Sequence, residues 1–169
     1  VVSDRIGFVA RIIVRDNPEA PGGKAAFPIY RGSRKNGTRE FTGRVAVTDK
    51  NALTPLWRRS VRDAARPDGV AIVRPVLDQP LIVKLHFTIP RNTKAAMNRE
   101  FPYVKPDADN LVKPTFDALT DAGIWKDDAR IVHLVSSKAY ANGFHADGTP
   151  AMDEPGCVIE IFKIVPPSA

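Results

Sequence analysis

Hydrophobic residues recur along this chain with two different periods, and the order of the periods limits the fold. Between Pro80 and Pro90, Leu81, Val83, Leu85 and Phe87 alternate with Ile82, Lys84, His86 and Thr88, the two-residue period of a strand. From Asn110 the spacing changes. Leu111, Phe116 and Leu119, with Val112 beside them, make one helical face, and Gly123 is placed to end the helix in a left-handed cap. Pro114 prefers a first helical turn, so the regular helix is predicted to start near Asn110 to Lys113. Alternation returns from Arg130 to Tyr140, and Gly156 to Val165 supplies a last strand. Ahead of these segments, Ile6 to Val14 reads as an opening strand and Asp49 to Ala65 as a helix, with Thr54-Pro55 as an alternative start. The order predicts a mixed α/β (α+β) domain, a mixed sheet flanked by helices, and not a strict alternation of strand and helix.

Two segments lack a clear period. Arg15 to Lys50 is rich in Gly, Pro and Arg and reads as irregular, with a short strand at Gly43 to Thr48 interrupting it. Thr93 to Glu100 reads as a loop or a brief helix. A length of 169 residues, 43% apolar and 26% charged, suits one domain over residues 1–169, because each half alone would be too small to bury a core. The apolar runs GFVARIIV and PLIVKLHFTI are short and broken by Arg or Lys, so no membrane span is expected. No basic-then-apolar leader is read at the start, although the sequence opens on Val1 and not on methionine, which leaves room for a trimmed start. A single cysteine, Cys157, rules out an internal disulfide and a cysteine zinc cage, and a buried strand thiol is expected in GCVIEIFKI. These features fit a cytosolic protein.

Charge is unevenly distributed. Residues 1–105 carry 20 Lys/Arg against 9 Asp/Glu, a net of +11, whereas residues 106–169 carry 5 against 10, a net of −5. Cations collect a polyanion over a broad surface, while clustered carboxylates repel one unless metal ions lie between them.

Those carboxylates begin in KPDADNLVKP, where Asp107 and Asp109 stand one residue apart just before the predicted helix. An N-cap role, stabilising by about 1 kcal/mol, accounts for Asp109 alone. It does not account for Asp107 or for the Asp127-Asp128 pair a helix-length later. Should the topology bring the two pairs together, hard divalent ions such as Mg²⁺ or Mn²⁺ are the natural remedy for the repulsion, and such ions cleave phosphodiesters. Whether it does is not fixed by spacing. Lys113 follows Asp109 by four residues and precedes Asp117 by four, which reads either as an exposed ion pair with Asp117 or as an ammonium for a phosphate. His86, His133 and His145 are scattered and form no zinc motif, and no Walker-type phosphate loop is present. A D-x-D alone also occurs in glycosyltransferases, for which this chain is short.

The stretch KPDADNLVKPTFDALTDAGIWKDDARIV, Lys105 to Val132, resembles the RusA family of Holliday junction resolvases. The resemblance rests on D-x-D-N-L, a lysine four residues past the second aspartate, D-A-L on the same helix, and D-D before a strand. It is specific over about thirty residues. It implies a RusA-like homodimer that binds four-way DNA junctions and makes paired symmetric nicks with Mg²⁺, or Mn²⁺, in recombination or repair. Carried over by residue, it makes Asp107, Asp109 and Asp128 metal-binding and catalytic, Lys113 catalytic, and Asp127 a supporting or shared ligand. The basic residues expected on DNA are Arg31, Arg34, Lys35, Arg39, Arg58, Arg59 and Arg62, contacting phosphates as a group. The irregular Arg15–Lys50 region and a second one, Ala141 to Glu154, are departures from the family pattern. Members often come from phages and prophages, so a bacterial cytoplasm is the expected setting. The alternatives are a nuclease with looser taste for flaps and forks, and a branched-DNA-binding module that does not cut.

Overall fold

The structure, a computed structural model, describes residues 5–22, 24–31, 40–49 and 51–165. Its centre is strand β4 (Leu81–Ile89), flanked by Pro80 and Pro90. Chain order around it is β1 (Ile6–Val14), β2 (Lys24–Arg31), β3 (Glu40–Asp49), α1 (Thr54–Ala65), β4, α2 (Lys94–Met97), α3 (Ala108–Asp121), β5 (Ile131–Tyr140) and β6 (Gly156–Ile164). Four strands form one mixed sheet in the order β1-β6-β4-β5. Strands β1, β6 and β4 pair antiparallel, whereas β4 and β5 are parallel, from Leu81 opposite Ile131 to Ile89 opposite Tyr140. Parallel neighbours require a crossover, and α3 provides it.

One face of the sheet is covered by α1 and α3. Val83, Leu85 and Phe87 of β4, Ile12 of β1 and Ile159 and Ile161 of β6 turn toward the helices and are buried with Trp57, Leu111 and Leu119. Each such side chain stabilises the fold by roughly 1.5–3 kcal/mol through area removed from water. The two buried tryptophans find their hydrogen-bond acceptors on α3. Trp57 Nε1 donates to Thr115 Oγ1 at 3.1 Å, and Trp125 Nε1 to Thr120 Oγ1 at 2.8 Å. Both threonines in turn donate to the carbonyl four residues back, Leu111 and Phe116. Where β6 starts, a Cβ on Gly156 would run into the Val14 carbonyl of β1, so only glycine fits there.

Three expectations change. Arg15–Lys50 is less irregular than expected, because β2 and β3 form a separate antiparallel ribbon with a register shift between Pro28 and Tyr30. Pro28 weakens the strand signal but is tolerated in a two-stranded ribbon with an irregular register. Helix α1 starts at the later of the two expected positions, with Pro55 in its first turn. Helix α3 starts at Ala108, earlier than Pro114 suggests. The Asp107 carbonyl already accepts from Leu111 N at 3.2 Å, so the proline lies inside the helix, where its ring is buried. Its missing N–H leaves the Asn110 carbonyl without the usual donor four residues on. The far end of α3 is as expected. Gly123 has φ +73°, its N–H bonds Thr120 O, and Ile124 N bonds Leu119 O, which is a Schellman stop. Cys157 is buried in β6, and burial raises its thiol pKa well above the usual value.

Candidate active site

The β4–α3–β5 crossover decides where each acidic residue goes. Helix α3 enters beside the C-terminal ends of β4 and β5 and leaves beside their N-terminal ends. Asp107 occupies the N-cap position with extended φ/ψ of −72° and 143°, yet its side chain caps nothing. Its nearest polar contact is a long one, from Asn110 Nδ2 at 3.4 Å to Asp107 Oδ2. Asp109 lies in the first turn and is exposed, with no hydrogen bond or ion pair to any described residue. Two carboxylates in no ion pair with a described residue thus sit within one turn at the positive end of a helix dipole.

Lys113 follows one turn later on the exposed side. Its Nζ lies 3.4 Å from Asp117 Oδ1, an ion pair worth a few tenths of a kcal/mol at such an exposed site. The pair foreseen from the spacing is therefore present, and it is weak enough for the ammonium to turn toward a bound anion.

The second acidic pair sits at the other end. Asp127 caps the short 3-10 turn Asp128–Arg130 by accepting from Ala129 N at 2.8 Å. Asp128 is exposed and makes no bond or ion pair with a described residue. The neighbouring cations are drawn elsewhere: Lys126 Nζ reaches Asp78 Oδ2 at 3.1 Å and Arg130 Nε reaches Asp78 Oδ1 at 2.6 Å. Those bonds, Arg130 first, hold the Asp78 carboxyl below its usual pKa. Asp78 therefore keeps both cations off Asp128.

The two pairs do not meet within one chain. From Asp109 to Asp121 the helix rises about 18 Å at 1.5 Å per residue, and Asp128 lies beyond its far end. Among the described residues no three acidic, histidine or cysteine side chains converge closely enough to hold a metal. The donor chemistry of each pair still suits a hard divalent cation, which takes carboxylate oxygens and keeps several waters.

Of the basic residues expected on DNA, Arg34, Lys35 and Arg39 lie outside the described residues. Arg31 on β2 forks onto Glu40 Oε2 through Nε at 3.0 Å and its terminal nitrogen at 2.9 Å. Arg58, Arg59 and Arg62 line one side of α1. Arg58 meets Asp121 at 2.8 Å, at the C-terminal end of α3, and Arg59 and Arg62 both border Asp63. All four guanidinium groups reach the surface, where such pairs exchange readily for phosphate.

Sequence reasoning missed three contributors. Asp78 pairs across 48 and 52 residues of chain, which no local pattern reveals. Lys138 lies on the helix-facing side of β5, opposite buried Phe87, and a cation on that face was a legible signal. The third is a buried trio: Ser137 Oγ lies 2.9 Å from both His86 Nδ1 and His145 Nδ1 and ties the Ala141–Pro155 segment to the sheet. His133 stands apart from it.

Compared with protein-family models, residues 31–146 match the family described as Endodeoxyribonuclease RusA. The match runs from the end of β2 through α1, β4, α3 and β5, and so includes both acidic pairs. A search of curated proteins gives no match. The chain belongs to the RusA family of endodeoxyribonucleases, the Holliday junction resolvases.

Proposed function

We propose that this protein cuts four-way DNA junctions by metal-dependent phosphodiester hydrolysis, in recombination or repair, as a two-fold homodimer. Mg²⁺, or Mn²⁺, would be held by Asp107 and Asp109 of one chain together with Asp128 of the second. The observation that carries this reading is the pair Asp107 and Asp109: one residue apart, exposed, at a helix N-terminus, and in no ion pair with a described residue. When bound, the metal supplies an activated water and stabilises the leaving oxygen.

The chain's own residues do the rest. Asp107 and Asp109 offer oxygen ligands on a rigid first turn. Lys113, one turn on, is free enough to hold a non-bridging oxygen of the scissile phosphate or to offset charge on the leaving group. Asp127, with one oxygen committed to its cap, orients the turn that presents Asp128. The basic residues of α1 and β2 hold flanking phosphates, which position the junction without reading its sequence.

A second chain is required by the geometry of this reading. Carboxylates sharing one Mg²⁺ at about 2.1 Å lie within about 4 Å of each other, far less than the length of α3. Two copies with α3 antiparallel across a two-fold axis would bring the start of each helix to the end of the other and form two equivalent sites. Strand β5 supports such pairing. It is an edge strand, and beside Asp128 it exposes Val132 (61%) and Leu134 (41%).

The test incubates purified protein with a labelled four-way junction, a flap and a linear duplex in Mg²⁺, Mn²⁺ or EDTA. Paired nicks confined to the junction and lost in EDTA are expected. Equal cutting of all three substrates would instead indicate a looser branched-DNA nuclease, and metal-independent binding without nicks a non-cleaving module. Asp109→Asn should abolish cleavage and leave junction binding intact; normal cutting by that variant would remove Asp109 from the site.

A further inference from the structure

Lys138 is a half-buried cation on the helix-facing side of the edge strand β5. It sits two residues before the end of β5, on the face that carries buried Leu85 and Phe87 of the neighbouring strand. Its Nζ donates to Val104 O at 2.6 Å and to Pro106 O at 2.7 Å. Both acceptors belong to the few residues that lead into α3, and the second immediately precedes Asp107. Burial lowers the amine's pKa, and the Asp107 charge beside it opposes that shift. Partial desolvation of an ammonium costs free energy, which the two carbonyls offset locally. Satisfying two carbonyls needs only neutral donors. An ammonium on a long stem adds reach from the sheet and a charge beside the acidic pair.

We propose that Lys138 is a positioning residue for the acidic pair: by gripping the chain at Val104 and Pro106 it fixes the direction in which Asp107 enters α3 and keeps the Asp107 and Asp109 carboxylates preset for a shared cation. The grip matters because Asp107 has no cap bond of its own to orient it. The inference rests on the reading of Asp107 and Asp109 as metal-binding residues.

The sign of the effect separates positioning from charge. Removing a positive charge near a cation site by itself tightens cation binding. Losing the grip weakens it, because the pair must then be ordered when the metal arrives. Groups that orient metal ligands from outside the coordination sphere typically change affinity by about 10- to 100-fold. Full-length Lys138→Met is therefore expected to bind Mn²⁺, followed by calorimetry without DNA, about 10-fold more weakly than the natural protein. Its Mg²⁺ requirement for cleavage should rise by a similar factor. Amide exchange should quicken over residues 104–111 and stay unchanged in β4 and β6. Lys138→Arg, which keeps both charge and donors, should recover most of the affinity. Should Lys138→Met fail to fold, Lys138→Gln, which can still serve one carbonyl, is read by the same measurements.

Unchanged or tighter Mn²⁺ binding with unchanged exchange at 104–111 would overturn the inference. Asp109→Asn is the control that tells its failure from that of the underlying reading. If Asp109→Asn binds Mn²⁺ normally, the acidic pair is not the metal site and both ideas fall. If Asp109→Asn loses Mn²⁺ and Lys138→Met does not, only the role of Lys138 falls.

Discussion

Separation of the acidic pairs by the length of α3 makes a quantitative prediction about mixed dimers. Consider one preparation carrying Asp109→Asn and another carrying Asp128→Asn, each inactive alone. If every site combines Asp107 and Asp109 of one chain with Asp128 of the other, a mixed dimer holds one site with all natural carboxylates and one that lacks both. Random exchange at equal concentrations makes about half of the dimers mixed, and each has one working site of two, so about a quarter of the natural site activity returns. The product also changes: one site can nick but cannot make the paired cuts that resolve a junction. The assay mixes the variants, allows exchange through dilution and reconcentration, and follows a strand-labelled junction on denaturing and native gels. Nicked, unresolved junctions near a quarter of the natural nicking rate are expected. If tagged mixed dimers are isolated and still do not nick, both acidic pairs act within one chain, and the rigid separation by α3 has been misjudged.

Other perturbations test other parts of the structure. Trp57→Phe leaves the buried Thr115 hydroxyl without its indole donor and should cost about 1–3 kcal/mol in urea unfolding, with the unfolding slope unchanged. Gly123→Ala forces a Cβ into left-handed backbone at φ +73°, for about 1–2 kcal/mol, read from the same curves. Acid should loosen the Ala141–Pro155 segment. Burial, and then the facing His86, depress the His145 pKa, so the unfolded state takes up a proton first; stability is full above the unfolded value near 6.5 and falls as pH drops below it, by at most about 1.4 kcal/mol per pH unit for this group. Asp147, the other charged group acting on His145, opposes that shift, so Asp147→Asn should steepen the loss in pH-dependent thermal unfolding. Replacing Arg58, Arg59 and Arg62 together with alanine should weaken junction binding and flatten its salt dependence, by roughly 0.9 in the log–log slope for each phosphate no longer neutralised; an unchanged slope would take α1 off the DNA.

Strands β1, β4 and β6 were legible from alternation because each buries one face against the helices, and burial on one face is what imposes a two-residue period; β5 alternates in sequence although, as an edge strand, it buries only Ala139 and Tyr140. The end of α3 was legible at Gly123 because a left-handed residue after an apolar helical face has few other uses. The start of α3 misled, since Pro114 signals a first turn by its missing N–H, while its buried ring outweighs that local preference. The β2–β3 ribbon was largely missed. It packs little against the main sheet, so nothing enforces a one-sided apolar pattern, and Pro28 and Gly43 dilute what remains. Asn36-Gly37, a dipeptide favoured in hairpins, stands in the connecting sequence and was the available clue.

Sequence alone carried the chemistry of the site: which carboxylates are unusual, that Lys113 stands one turn from Asp109, and the family to which the motif belongs. Those are properties of residue type and of neighbours within a helix turn, and the chain determines them before it folds. Tertiary structure alone decided how the pieces face each other. The parallel pairing of β4 with β5 sends α3 back along the sheet, which sets Asp107 and Asp109 at one end and Asp128 at the other, and which brings Lys138 to the carbonyls before Asp107. Contacts of that kind join residues far apart in the chain, and their distances depend on strand order and direction, quantities to which local periodicity is blind.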